Sequence, residues 1–482
     1  MGASSASCAV AKRRGGNARE TTVPDPGARR ALIDRVLSGV EAWEAQWGPL
    51  PDTHLPDGLD GLLDEYAARM DATLPFFHPR YAGQMLKAPH PVAVAGYLAA
   101  MILNPNNHAL DASQATSPME FEVVRMLADM FGLPERAIGH LTSSGTIANL
   151  EALWVARELR PNGAVVYSEG AHYTHGRMCQ VLRLTSRAVP ARPNGRIDLD
   201  AVEAQCRRGD VGTVVLTPGT TGLGAIDDVH EALDLRERYG VRLHVDAAYG
   251  GFFALLGGPA YAAIASCDSV VVDPHKHGLQ PYGCGAVLFA DPSVARFYLH
   301  DSPYTYFTSD ELHLGEISLE CSRAGAAAGA LWLTLQALPL RRDRGLGPIL
   351  AACRRAAKNF AARVHASEAL TLYLEPALDI VAYFPTLATM RAVDDATDAL
   401  LHAGMNDEAD PVFLSSLRVG ADAFAALHPG INRDAEAARV LRSVLMKPEH
   451  EPSAGWLVER VETLAGAMAH RSDDPAGAPG GK

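Results

Sequence analysis

The chain has 482 residues, enough at roughly 150 residues per domain for two or three domains. Its 43 Lys and Arg against 56 Asp and Glu leave a formal charge of −13, which argues against nucleic acid or an anionic membrane as the main partner, because both require a basic surface. With 48% apolar and 21% charged residues the composition is globular, not disordered, and small-molecule chemistry becomes the leading class of function.

The start, MGASSASCAVAKRRGGNARE, has no apolar core of a signal peptide. Its arginines leave an organellar transit peptide as the alternative to a cytoplasmic protein. Residues 1 to about 28 and 472–482 read as mobile ends. Ala28 to Arg69 predicts one or two helices whose Trp43, Trp47 and Leu50 need another surface to cover them. VAVAGYLAAMIL, Val92 to Leu103, is too short to cross a bilayer and predicts a buried helix. From Pro118 to Phe131, Met119, Val123, Met126, Leu127 and Met130 fall at helical spacing, and a second helix is expected from Thr146 to Arg160.

Between about 164 and 289 the pattern changes to short β-branched runs, VVY, TVVL, VRLHV, SVVV and GAVLF, with a helix predicted from Asp228 to Tyr239. Runs apolar on both faces imply a sheet covered by helices on both sides, hence an α/β domain. Helices are expected again over 324–338 and 347–364, with a candidate hinge at Gly345 to Pro348, and DIVAYFP predicts a strand of a smaller mixed unit. The seven cysteines, at 8, 179, 206, 267, 284, 321 and 353, are odd in number and form no CxxC, which suits a reducing compartment such as the cytoplasm.

Chemistry concentrates where predicted strands end. In SVVVDPHKHG a strand is followed at once by Asp273, Pro274, His275 and Lys276, and in LHVDAAYGGFF another delivers Asp246. The carboxyl ends of strands in an open α/β sheet form the ligand crevice. A lone lysine there proves nothing. A carboxylate one crossover before it is the pair that pyridoxal phosphate needs, the acid to hold the pyridine nitrogen protonated and the amine to form the Schiff base. HLTSSGTIANLEALWVAR sets Ser144, Gly145 and Thr146 at the mouth of a helix, where backbone N–H groups bind phosphate. His172, in EGAHYTHGR, is placed to stack on a cofactor ring and offer a proton. The pairs His172 with His175, His275 with His277, and His244 with Asp246 admit a metal instead, but a metal leaves Lys276 and the SSGT turn unexplained.

These motifs resemble the group II pyridoxal phosphate-dependent amino acid decarboxylases. The similarity runs from about Phe77 to Arg363 and includes HPRYAGQM, NPNNHALDASQATSPMEFEVV, TPGTTGLGAID and DPHKHGLQPYGCGAVLF, while LECSRAGAAAGALWLTLQALPL is most similar to the bacterial tyrosine decarboxylase branch. The resemblance implies an α/β fold of the aspartate aminotransferase-like type (fold type I), with a mainly parallel seven-stranded sheet in the large domain. It divides the chain into N-terminal arm and dimerisation helices (1–75), large cofactor-binding domain (76–345), small C-terminal α/β domain (346–471) and tail (472–482). It implies Lys276 as the Schiff-base lysine, Asp246 on the pyridinium nitrogen, His172 on one ring face and Ala248 on the other. Ser144, Gly145, Thr146 and His275 would hold the phosphate, and Thr221 would stand near the cofactor or substrate carboxylate. The loop HDSPYTYFTSDELHLG departs from the family and offers Tyr304 and Tyr306, with Tyr306 preferred, as a proton donor from a candidate lid. The implied protein is a homodimer with shared active sites that turns an L-amino acid, aromatic and tyrosine-like, into amine and carbon dioxide. A carbon–carbon lyase resembling sphingosine phosphate lyase, an oxygen-dependent aldehyde-forming decarboxylase and a silent cofactor-binding scaffold remain as alternatives.

Overall fold

The computed structural model describes residues 26–49, 55–299 and 318–472. Its larger sheet holds seven strands: β1 (Ile138–Thr142), β2 (Ala164–Ser168), β3 (Ser186–Val189), β4 (Val211–Leu216), β5 (Arg242–Asp246), β6 (Ser269–Val272) and β7 (Gly285–Phe289), in the order β1-β7-β6-β5-β4-β2-β3. Parallel pairing joins β3, β2, β4, β5 and β6 in turn, and β7 lies antiparallel to both β6 and β1. The mainly parallel seven-stranded α/β arrangement is therefore present.

The strands of the middle are buried on both faces: every residue of β4, β6 and β7 is shielded from solvent. That follows from helices on either side. The helix Gly145–Leu159 sets Ala148, Ala152 and Val155 against Val271, Val287 and Phe289 on one face, while Val123, Leu127 and Leu235 from other helices pack with Leu243, Val245 and Val270 on the other. Each fully buried Val or Leu contributes about 1.5–3 kcal/mol, so the β-branched runs act as the sheet's main source of cohesion.

A second, antiparallel sheet comprises β8 (Leu370–Leu374), β9 (Ile380–Pro385), β10 (Ser415–Gly420) and β11 (Ala437–Val444), in the order β10-β11-β9-β8. The helices Leu346–His365 and His450–Ser472 cover one of its faces through Phe360, Val364 and Leu457. Gly345, with φ of 64°, begins the first of them in a conformation that favours glycine.

Two expectations change. The strands β1 and β3 were not legible in the sequence, and the helix Pro91–Leu103 is buried only along Pro91, Ala93, Ala95, Gly96 and Ala100, leaving Met101, Ile102 and Leu103 exposed. Its close face meets the helix Gly325–Ala337, where a Cβ at Gly96 would stand 3.1 Å from the Ala330 Cα. Trp43, Trp47, Leu62, Leu63 and Tyr66 on the first two helices are also exposed. No helix among the described residues is long and apolar enough to cross a membrane.

At the foot of the smaller sheet Lys447 is buried, its Nζ donating to the Tyr81 carbonyl at 2.6 Å and lying 5.4 Å from the Tyr81 ring centroid. Burial first, then the charge of Lys87, pushes its amine down to about 7. Above that pH the folded protein holds it neutral while the unfolded chain stays protonated up to the ordinary lysine value, so folding stability rises with pH in this window. Lys447→Met is expected to remove about 1.4 kcal/mol per pH unit from that slope. Urea unfolding at a series of pH values between the two limits measures it, and an unchanged slope would contradict the assignment.

Candidate active site

The site lies at the carboxyl ends of β4, β5 and β6, the crevice expected of an open α/β sheet. The loops after β4 and β5 meet there without side chains between them. Gly219 has φ of 120°, and a Cβ on Gly250 would fall 1.9 Å from the Pro218 carbonyl oxygen, so both positions must be glycine. The contact closes one wall of a cavity of about 240 Å³.

Ser144, Gly145, Thr146, His172, Thr221, Asp246, Ala248, His275 and Lys276 all line this cavity. Tyr304 and Tyr306 lie outside the described residues. Ser144 caps the helix Gly145–Leu159, its Oγ accepting from the Ile147 N–H at 3.4 Å, and the first-turn N–H groups of such a helix have no intrahelical partner. Glycine at 145 lets the helix start pack against the Asp273 carboxylate, since a Cβ there would stand 2.6 Å from Asp273 Oδ1.

Asp246 ends β5 with its carboxylate 4% exposed. Its Oδ2 accepts from His175 Nε2 at 2.9 Å and its Oδ1 from the Ala248 N–H at 3.2 Å. Burial works to raise this carboxyl, but the His175 hydrogen bond and the charge of Lys276 oppose it, and the group is held below the usual carboxylate range. It is ionised at neutral pH. His172 stands above, its Nδ1 accepting from the Thr174 N–H at 3.3 Å, which places the proton of the neutral ring at Nε2. Burial lowers His172 below the ordinary imidazole value, with Lys276 and His175 adding to the fall and Asp246 opposing it.

Sequence reasoning missed Asp273 as a partner of the lysine. Its Oδ2 lies 2.9 Å from Lys276 Nζ and 3.5 Å from His275 Nε2, and the signal was its place three residues before the lysine. The alternative of metal pairs meets a geometric objection. His175 is engaged with Asp246, His244 with Asn149 and Ser269, and His277 with Asp379 and the Tyr249 carbonyl. The described cluster with metal-like spacing, Asp228, His230 and Glu231, lies elsewhere at the start of another helix.

His277 and Asp379 form a further unit. Both ring nitrogens of His277 face acceptors, Asp379 Oδ2 at 2.7 Å and the Tyr249 carbonyl at 3.0 Å, and the Tyr249 hydroxyl donates to Asp379 Oδ1 at 2.6 Å. All three side chains are buried. Asp379 thereby ties β9's approach to the neighbours of Lys276 and Ala248.

Residues 52–384 match the family described as the pyridoxal-dependent decarboxylase conserved domain, and the chain belongs to it. It is a pyridoxal phosphate-dependent carboxy-lyase acting on an amino acid. It is 29% identical over 411 residues to L-tyrosine decarboxylase of Enterococcus faecium, covering 63% of this chain and 67% of that one. It is likewise 29% identical over 330 residues to a probable L-aspartate decarboxylase of Pyrococcus furiosus, covering 67% and 85%. Among solved structures, mouse CSAD superposes with a TM-score of 0.75 at 22% identity, over 93% of this chain and 94% of that one, and shows the shared fold.

The cavity fits the cofactor. Thr174 Oγ1, Thr217 Oγ1 and Asp273 Oδ1 line it as buried oxygens with no hydrogen-bond partner among the described residues, a state that a polar ligand relieves. An amine, a carboxylate and a helix N-terminus converge on the same space.

Asp379→Ala leaves the His277 ring and the Tyr249 hydroxyl buried without their carboxylate. At about 1–3 kcal/mol for each buried group left unpaired, we expect a loss of about 2–6 kcal/mol of folding stability, read as a fall in the denaturation midpoint. A midpoint unchanged from wild type would show that the buried pair contributes nothing.

Proposed function

We propose that the chain decarboxylates an aromatic, tyrosine-like L-amino acid to its amine, working as a homodimer. The observation that carries the site assignment is the delivery of Asp246 and Lys276 into one cavity by the adjacent parallel strands β5 and β6. In this reading Lys276 would bind the cofactor's aldehyde group covalently and Asp246 would keep its ring nitrogen protonated. Ser144, Gly145, Thr146 and His275 would hold the phosphate, His172 and Ala248 would flank the ring, and Thr221 would stand near the substrate carboxylate. Bound pyridoxal phosphate supplies the sink for the electron pair left when carbon dioxide departs. His172, with its proton at Nε2, is the described group placed to return a proton.

The aromatic side chain is assigned to a second cavity of about 1220 Å³, which shares His172, Tyr173 and Thr221 with the first. The likeness to the Enterococcus tyrosine decarboxylase supports it. An acidic substrate is the second reading, because Arg418 and Arg433 line the same cavity and a Pyrococcus relative is named for aspartate. The division at 76 and 346, with a large cofactor unit before a small C-terminal one, belongs to this reading, as do the cytoplasmic location and the dimer. The exposed apolar residues Trp43, Trp47, Leu62, Tyr66 and Ile102 are where a second copy would sit.

Incubating the holoenzyme with each amino acid and identifying products by mass spectrometry tests the reaction. Tyramine from tyrosine is the expected result; β-alanine or alanine from aspartate would favour the acidic reading, and an aldehyde with peroxide would replace simple decarboxylation. Lys276→Ala is expected to abolish turnover, and borohydride should fix the cofactor to Lys276 in the wild type; a tagged peptide containing another lysine would overturn that role. Asp246→Asn should lose about 3–4 kcal/mol of transition-state stabilisation, a hundredfold to thousandfold in kcat. Light scattering should report about twice the 51.3 kDa chain mass, and an active monomer would exclude shared sites.

A further inference from the structure

His175 is engaged on the side of Asp246 that faces away from the Ala248 N–H. Its Nε2 lies 2.9 Å from Asp246 Oδ2, its side chain is fully buried, and its Nδ1 has no hydrogen-bond partner among the described residues. An ionised carboxylate can only accept, so Nε2 carries a proton and donates it to Asp246 Oδ2. We propose that His175 is a positioning residue that keeps Asp246 ionised and oriented, and so sets the protonation of the cofactor's ring nitrogen.

The surroundings support a dedicated role. His175 begins one turn after His172, in the helix Thr174–Leu182, so one segment supplies both the group above the cavity and the group behind its carboxylate. The ring is held from several sides. Tyr167 of β2 lies 5.9 Å away between ring centroids and His244 of β5 lies 6.4 Å away. The charged and titratable groups facing the pair are Asp246 itself, His172 and Lys276 across the cavity, and His244. His244 is kept neutral, since burial pushes it down to about 3, and it spends its ring nitrogens on Asn149 Oδ1 and Ser269 Oγ at 2.8 and 2.9 Å. His175 is thus the described side chain that hydrogen-bonds the Asp246 carboxylate. A carboxylate with both a donor behind it and one oxygen toward the cavity remains an acceptor and does not drift to the neutral acid.

The proposal rests on Asp246 as the partner of the ring nitrogen, and the experiment separates the two. Holoenzyme is prepared with cofactor labelled with ¹⁵N in the ring, and the nitrogen shift is followed from about pH 6 to about pH 9, a range spanning the working pH of acid–base groups. Wild type and His175→Gln, whose amide nitrogen can replace Nε2 as donor, should both show a protonated ring nitrogen throughout. His175→Phe should move the shift towards neutral pyridine, lower kcat by about tenfold to hundredfold with KM little changed, and weaken cofactor binding by a similar factor, as expected for a lost hydrogen bond to a charged group. If the Phe side chain is not accommodated, His175→Leu gives the same reading. Asp246→Asn serves as the reference. If Asp246→Asn shifts the ring nitrogen and both apolar variants at 175 leave it protonated with kcat near wild type, the role of His175 is overturned alone. If Asp246→Asn leaves it protonated too, the assignment of Asp246 falls and the proposal with it.

Discussion

A buried negative charge organises the centre of this protein. Asp246 lies at the end of a central strand with almost no access to water, where an isolated carboxylate would take up a proton. It stays ionised because His175, the Ala248 N–H and the charge of Lys276 are already in place. That demand explains local features otherwise unrelated. The turn after β5 must be tight enough to bring the Ala248 amide back onto the carboxylate, which draws Gly250 against Pro218 and leaves no room for a side chain. The helix Thr174–Leu182 must begin where His175 can reach across.

The opposite charge is handled differently. Lys276 remains partly open to the cavity and rests on Asp273, so its amine is held by a group that it can leave. Electrostatics here separates a fixed partner from a releasable one. Asp246 has two protein donors and a rigid strand, whereas Lys276 has one close carboxylate and a flexible stem.

Much of the centre was legible in the sequence because the chemistry follows strand ends. β4, β5, β6 and β7 announced themselves as apolar β-branched runs, and Asp246, Lys276 and the SSGT turn followed them directly. The edges were less legible. β3 is an edge strand with Arg187 in it and only Val189 buried, and β1 carries His140 and depends on pairing with β7, a contact made across more than a hundred residues. A Cβ at Gly139 would stand 2.3 Å from the Val287 carbonyl oxygen, so a residue that reads as a strand breaker is what lets the two strands approach. His175 was visible only as half of an HxxH pair, because its true partner is 71 positions away. The exposure of Met101, Ile102 and Leu103 was hidden for a related reason: an apolar helix reads the same whether its second face meets this chain or another surface.

The Asp379 node has a consequence for the order in which the site can be completed during synthesis. His277 lies 102 positions before Asp379 and Tyr249 lies 130 before it. On the ribosome the strands that carry Asp246 and Lys276 emerge first and can begin to pair as a unit. Their flanking imidazole and phenol then wait for a carboxylate that has not yet been made. The cofactor cavity is therefore a late product of translation, finished only when β9 arrives, and a nascent chain halted before that point holds every residue lining it without the buried tie that fixes their backbone.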